Sequence, residues 1–209
     1  MRLKQFMNEY YNGLRLSPNF YHQWKQAIHI ELGQGIYQFQ GNKLNMARFH
    51  RVEQQVFEIM ELLFEKTDDI IVVINSYPKD KKKTIYPNFF PRYVKNQWKK
   101  YELHIEEYMW QFDEDALLIE QMELFCKVSD LKLQWLLKTC IHKDFRSLKP
   151  RLRTRHSVYA PDVFLVNVRT KCIFHLYDDR GYEIMNADEK LHKKLLNYLT
   201  KGVPQQNYD

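Results

Sequence analysis

The sequence predicts an α+β fold: a mixed or mainly antiparallel sheet, helices packed on one side, and a C-terminal β-hairpin followed by a helix. Three observations carry this. Residues 70–74 are apolar on both faces and rich in β-branched side chains, the pattern of a central strand. Residues 163–168 and 171–177 form two strand-like runs separated by Arg169 and Thr170, which demands at least one antiparallel pair. Helical stripes flank them, at Phe49, Val52, Val56, Met60 and Leu63 and again at Leu191, Leu195 and Leu199.

The elements follow in order. Leu3, Phe6, Met7 and Tyr10 lie on one helical face, and Asn12-Gly13 stops that helix. Ser17-Pro18-Asn19 opens a second short helix running to Trp24. Ile28, Ile30 and Leu32 alternate with His29 and Glu31, a strand with one wet face that Gly33 and Gly35 end. The first stripe gives a helix over about 46–66, and Thr67-Asp68-Asp69 turns into the central strand. Residues 77–91 read as a basic loop, and Val94, Trp98, Tyr101 and Ile105 have helical spacing. Met122, Leu124, Cys126 and Val128 alternate as a strand. Ser129 or Asp130 is placed to cap a helix whose face is Leu133, Leu136, Leu137, Cys140 and Ile141. Residues 143–161 show no periodicity. After the hairpin, residues 178–181 turn into a short strand at 182–185, and Asn186 with Glu189 matches a capping box. The whole, 1–209, reads as one α+β domain with an irregular insert at 77–116.

Composition sets outer bounds. The chain has 209 residues, 44% of them hydrophobic and 15% aromatic, with only 6 Gly and 7 Pro. That excludes collagen-like, linker-like and disordered chains. Its three cysteines, Cys126, Cys140 and Cys172, include no CxxC pair and sit among apolar residues, so buried free thiols are expected. The N-terminal residues lack the apolar core of a signal peptide, and residues 70–74 are too short to cross a membrane. A reduced, cytoplasmic setting follows, with no membrane partner.

Charge is blocked along the chain. The net formal charge is +6. Residues 79–100 hold eight bases against Asp80; residues 102–130 hold nine acids against Lys127; residues 146–155 hold five bases and no acid. Such blocks favour patches over an even mixture. Arg151, Arg153 and Arg155 alternate, so an extended chain repeats them every ~6.6–6.8 Å, near the phosphate spacing of a nucleic-acid strand. Lys81, Lys82 and Lys83 extend that patch, and Tyr86, Phe89, Phe90 and Tyr93 offer stacking rings. The rival destinations of these loops are an acidic protein surface and the chain's own acidic residues 102–130.

Catalytic motifs are weak. Gly33-Gln34-Gly35 lacks a third glycine and no GK[ST] follows, so it reads as a tight turn. Ser76 and Lys79 fit S-x-x-K without its companion motifs. The tightest group of candidate ligands is His175, Asp178 and Asp179. Adjacent carboxylates at a strand end can hold Mg²⁺ with water, which would suit a metal-dependent hydrolase. The structural alternative has both aspartates forming the turn, Arg180 pairing with one of them, and Gly181 at positive φ. No cofactor and no third metal ligand is indicated by spacing.

Residues 172–184, with Tyr177-Asp178-Asp179-Arg180-Gly181 at their centre, resemble the C-terminal box of a family of Gram-positive bacterial proteins that carry a domain of unknown function. Residues 12–15, Trp24, 30–33, 69–73 and 127–130 resemble other parts of that family in the same order. Residues 77–116 and 143–160 do not follow it, nor does the tail after Tyr198. The resemblance implies no established activity and is compatible with an immunity or antitoxin-like partner of a toxin. The leading expectation is a non-enzymatic cytoplasmic protein-binding module; given the net charge of +6, either the acidic residues 102–130 do the binding or the toxin is not a nuclease. The alternatives are nucleic-acid binding through 79–100 and 146–155, and the metal-dependent hydrolase at His175, Asp178 and Asp179.

Overall fold

A computed structural model describes residues 1–79, 89–112, 115–152 and 157–202. Its centre is β4 (Asp69–Ser76), buried along nearly its whole length. β6 (Asp115–Lys127) and β7 (Asp162–Asn167) flank it, both antiparallel. β8 (Cys172–Asp178), β9 (Gly181–Asn186) and β1 (Ala27–Glu31) extend one side. β5 (His104–Phe112) extends the other. The seven-stranded order is β1-β9-β8-β7-β4-β6-β5, and every pairing is antiparallel. This is the α+β class the sequence predicts, with the C-terminal hairpin and the following helix α6 (Glu189–Gly202) in place.

β4 is apolar on both faces because both are covered. Ile70, Val72 and Ile74 meet the buried stripe of α3 (Met46–Leu63) and the apolar face of α5 (Leu133–Ile141). Leu195 of α6 and Phe90 and Tyr93 of α4 (Phe89–Tyr93) close the same layer. Ile71 and Val73 meet a second, smaller core supplied by the N-terminus. There α1 (Leu3–Tyr10) brings Leu3, Phe6 and Met7, and α2 (Phe20–Gln23) brings Phe20. Each such side chain contributes about 1.5–3 kcal/mol when buried. The larger helices thus share one face, as expected, and the N-terminal helices seal the other.

Polar side chains clamp that N-terminal cover. Glu123 on β6 accepts the Leu3 backbone N–H at 2.8 Å, satisfying an orphan donor at the start of α1. Gln121 and Asn75 both donate to the Leu16 carbonyl, at 2.7 and 3.1 Å. Tyr11 is wholly buried and donates to the carbonyls of Lys171 and Met185.

Several local expectations are corrected. Helical spacing at Val94, Trp98, Tyr101 and Ile105 yields a 3-10 turn at Gln97–Glu102, after which the chain extends as β5. Residue-by-residue pairing with β6 outweighs local periodicity there. Part of segment 77–116 is therefore regular structure belonging to the main sheet. Asp130 caps a 3-10 turn at Val128–Asp130 by accepting the Lys127 N–H, and α5 starts later, after Lys132. Asp188, not Asn186, caps α6, accepting from Lys190 and Leu191 N–H. Asn186 instead donates to the Gln26 carbonyl. A two-residue ladder between β2 (Phe39–Gln40) and β3 (Lys43–Leu44) was not legible in the pattern.

Candidate functional site

The turn between β8 and β9 carries Asp178, Asp179, Arg180 and Gly181. Asp178 accepts the Arg180 backbone N–H at 2.7 Å and pairs with its guanidinium, so its carboxylate folds the turn. Asp179 is 1% exposed and pairs with Arg48 of α3, Nε to Oδ2 at 2.9 Å. Gln38 donates to both oxygens of the same carboxylate. The Arg48 guanidinium also donates to the carbonyls of Leu32, Gly33, Ile36 and Asp179. One buried arginine therefore ties α3, the glycine turn after β1 and the β8–β9 turn together.

Gly181 does not take positive φ, which corrects the expectation. Its need for glycine is spatial. A Cβ there would overlap the Tyr177 hydroxyl and sit 2.5 Å from the Ile30 carbonyl oxygen. The register Glu31↔Gly181 brings β1 close at this point.

His175 lies on the other face of β8, buried, and stacks on Phe164 with centroids 4.3 Å apart. Its Nδ1 is 3.1 Å from Glu183 and its Nε2 is 3.6 Å from Asp162. Burial alone would lower the imidazole pKa; the two carboxylates outweigh it and hold the pKa above its ordinary value. Burial likewise favours protonated Asp162, but His175, Lys143 and the Tyr77 hydroxyl keep its pKa below the ordinary value. His175 is thus buried between two carboxylates that favour its protonated form.

His175, Asp178 and Asp179 therefore do not converge. Each is committed to a different partner set. Among the described residues no group of three His, Cys, Asp or Glu side chains is arranged to hold a metal ion. Of the basic patch, Arg151 is half-buried, while Lys81, Lys82, Lys83, Arg153 and Arg155 lie outside the described residues. The three cysteines are buried free thiols, as expected, and burial pushes Cys126 and Cys140 up to about 12.

The residues that sequence reasoning missed are Arg48, Asp162 and Glu183. Arg48 had a signal: it falls four residues before Val52 on the buried stripe of α3, and a charge at a core position requires a buried counter-charge. Asp162 and Glu183 become special only through cross-strand pairing of β7, β8 and β9.

The family profile of a domain of unknown function (DUF3885) matches residues 3–200. The chain belongs to this family. An uncharacterized protein of Bacillus subtilis (strain 168), YnaE, is 34% identical over 196 residues, covering 91% of each chain. No solved structure matches. The DUF3885 match runs from α1 into α6 and so spans every strand of the sheet. Among the described residues no helix is long and apolar enough to cross a membrane.

One surface of this DUF3885 chain stands apart from the internal pairing. β5 is nine residues long and occupies a sheet edge, with β6 as its one strand neighbour among the described residues. It contains neither Lys nor Pro, and its register with β6 is unbroken by a bulge. Ile105 and Met109 are 45% and 56% exposed, and Trp98 in the preceding turn is 76% exposed. Glu107 is exposed and lies opposite Glu120 in the register. Natural edge strands are normally short or blocked by charged side chains, Lys above all, by Pro or by bulges, because a long open edge pairs with other chains; β5 carries two charges, Glu107 and Glu106, the latter paired with Arg15 at 3.2 Å.

Proposed function

We propose that the protein is a non-enzymatic, cytoplasmic protein-binding module that receives a strand of a basic partner along β5. The observation that supports this reading is the long edge just described, with Ile105 and Met109 exposed on it, set within the acidic residues 102–130. Main-chain hydrogen bonds to the edge would supply affinity, and pockets for alternate side chains would supply selectivity. Ile105 and Met109 offer the apolar contacts, and Glu107 on the same side of the strand offers a charge to a partner Lys or Arg. An immunity or antitoxin-like inhibitor of a basic toxin is the biological role this chemistry would suit. It also answers the positive net charge of the whole chain: the acidity a basic partner requires is concentrated locally.

The test is affinity capture from native lysate, with and without nuclease, comparing the wild-type chain with Ile105→Lys/Met109→Lys. Both positions are exposed, so the double variant keeps its core. The reading expects a stoichiometric protein that survives nuclease and is lost with the variant. Retention by the variant, or loss of all captured material on nuclease treatment, would sink it.

A further inference from the structure

A cavity of about 450 Å³ opens where the ends of β7 and β8 meet the β5–β6 hairpin. That size suits a small ligand or a side chain. Its walls are aromatic: Tyr77, Trp110, Tyr159 and Tyr177 all line it. Tyr77 and Tyr159 stand nearly perpendicular, with centroids 5.8 Å apart and planes at 83°, forming a corner. Tyr77 is held rigidly because its hydroxyl donates to Asp162.

The charges are unequal. Three carboxylates, Asp144, Asp162 and Asp178, line the cavity against two cations, Lys143 and Arg180. Both cations are committed: Lys143 lies 3.8 Å from Asp162, and Arg180 pairs with Asp178. Asp144 is exposed and makes no hydrogen bond or close ion pair among the described residues. Desolvation nonetheless raises its pKa, so the carboxyl sits in a partly water-poor setting. Aromatic faces carry negative potential and attract cations, most strongly the indole. A ring-walled cavity with three carboxylates against two cations, one of those carboxylates making no hydrogen bond among the described residues, suits a bulky, weakly hydrated cation and disfavours an anion.

We propose that this cavity binds an alkylammonium group, its methyls against the rings and its charge facing Asp144. The site is separate from the outer side of β5 and does not depend on the strand-addition reading. Its chemistry is shared by a free choline-like ion and by a methylated lysine side chain.

The test uses the full chain labelled with ¹⁵N and follows the Trp110 indole N–H by NMR. Tetramethylammonium chloride is titrated in, with sodium chloride at matched ionic strength and neutral 2,2-dimethylpropanol as controls. The proposal expects a saturable shift with tetramethylammonium and none with either control. Asp144→Asn and Tyr159→Leu, both at exposed positions, should each weaken binding about threefold or more. Ile105→Lys/Met109→Lys should leave the titration unchanged, which separates this proposal from the β5 reading. Free choline and an N-acetyl-trimethyllysine amide then distinguish the two sources by which binds tighter. Absence of a saturable shift, an equal response to the neutral alcohol, or unchanged affinity in both site variants would overturn the assignment.

Discussion

Replacing Arg48 with Met tests whether the β8–β9 turn is held by a buried ion pair. The side chain is 9% exposed and its partner Asp179 is 1% exposed. Truncation removes the bond from Nε to Asp179 and leaves the carbonyls of Leu32, Gly33, Ile36 and Asp179 without this donor. Asp179 would keep Gln38, a neutral donor that does not compensate its charge. Breaking a buried pair from one side costs about 3–5 kcal/mol, because the surviving charge stays desolvated. For a chain of this size that is a fall in Tm of about 6–20 °C. Urea unfolding followed by far-UV circular dichroism would measure it, with the midpoint moving and the slope preserved. The double variant Arg48→Met/Asp179→Leu should recover part of the loss, since neither charge is then left alone. A loss below about 1 kcal/mol for Arg48→Met would show that the buried pair does not hold this turn and that its stabilisation lies elsewhere.

Four further outcomes follow. His175→Ala removes the imidazole from between Asp162 and Glu183, leaving Asp162 with Lys143 at 3.8 Å, and should cost about 3 kcal/mol near neutral pH. Because the folded pKa of His175 lies above its unfolded value, its protonation stabilises the fold fully below the unfolded pKa, and that part is lost as pH rises through the folded pKa. The gap between wild type and His175→Ala should therefore narrow on the alkaline side; a gap that widens there contradicts the assigned protonation. Gly181→Ala should lose about 1–3 kcal/mol through overpacking, and adding Tyr177→Ala should restore only part, because the Ile30 carbonyl still blocks the Cβ; full rescue would show that Tyr177 alone sets the constraint. Tyr11→Phe should lose about 1–2 kcal/mol in chemical denaturation by stripping the hydroxyl from two carbonyls, whereas a neutral result would mean water replaces it. The three thiols should resist iodoacetamide in the native state and react only on unfolding, and mass spectrometry of the native protein would reveal any exception.

The sequence announced its core better than its polar interior. β4, α3, α5 and the β7–β8 hairpin were visible because burial on one or both faces leaves a period in the apolar residues. β5 was hidden by its exposure: Ile105 and Met109 face solvent, so the strand carries no buried stripe. Its existence comes from pairing with β6, a contact between segments that local spacing does not encode. The candidate cluster at His175, Asp178 and Asp179 was adjacent in sequence yet is divided in space, since β8 alternates its faces and the turn sends each aspartate to a different arginine. Asp178 pairing with Arg180 was foreseeable from a two-residue separation, whereas Arg48 lies 131 residues from Asp179. Gly181 was singled out correctly for the wrong cause, because a close approach between strands leaves no trace in the local turn pattern. The aromatic cavity likewise gathers Tyr77, Trp110, Tyr159 and Tyr177 from four separate stretches.

Addition of a partner strand to the β5 edge is read at the edge itself by amide hydrogen exchange. The protein would be followed alone and with its captured partner, and protection read across residues 104–111 of β5. Strand addition predicts that the outward-pointing amides of β5 gain protection in the complex, at every second residue, while those already bonded to β6 change little. A complex that forms with no new protection in β5, and protection gained elsewhere, would show that the partner docks on another surface.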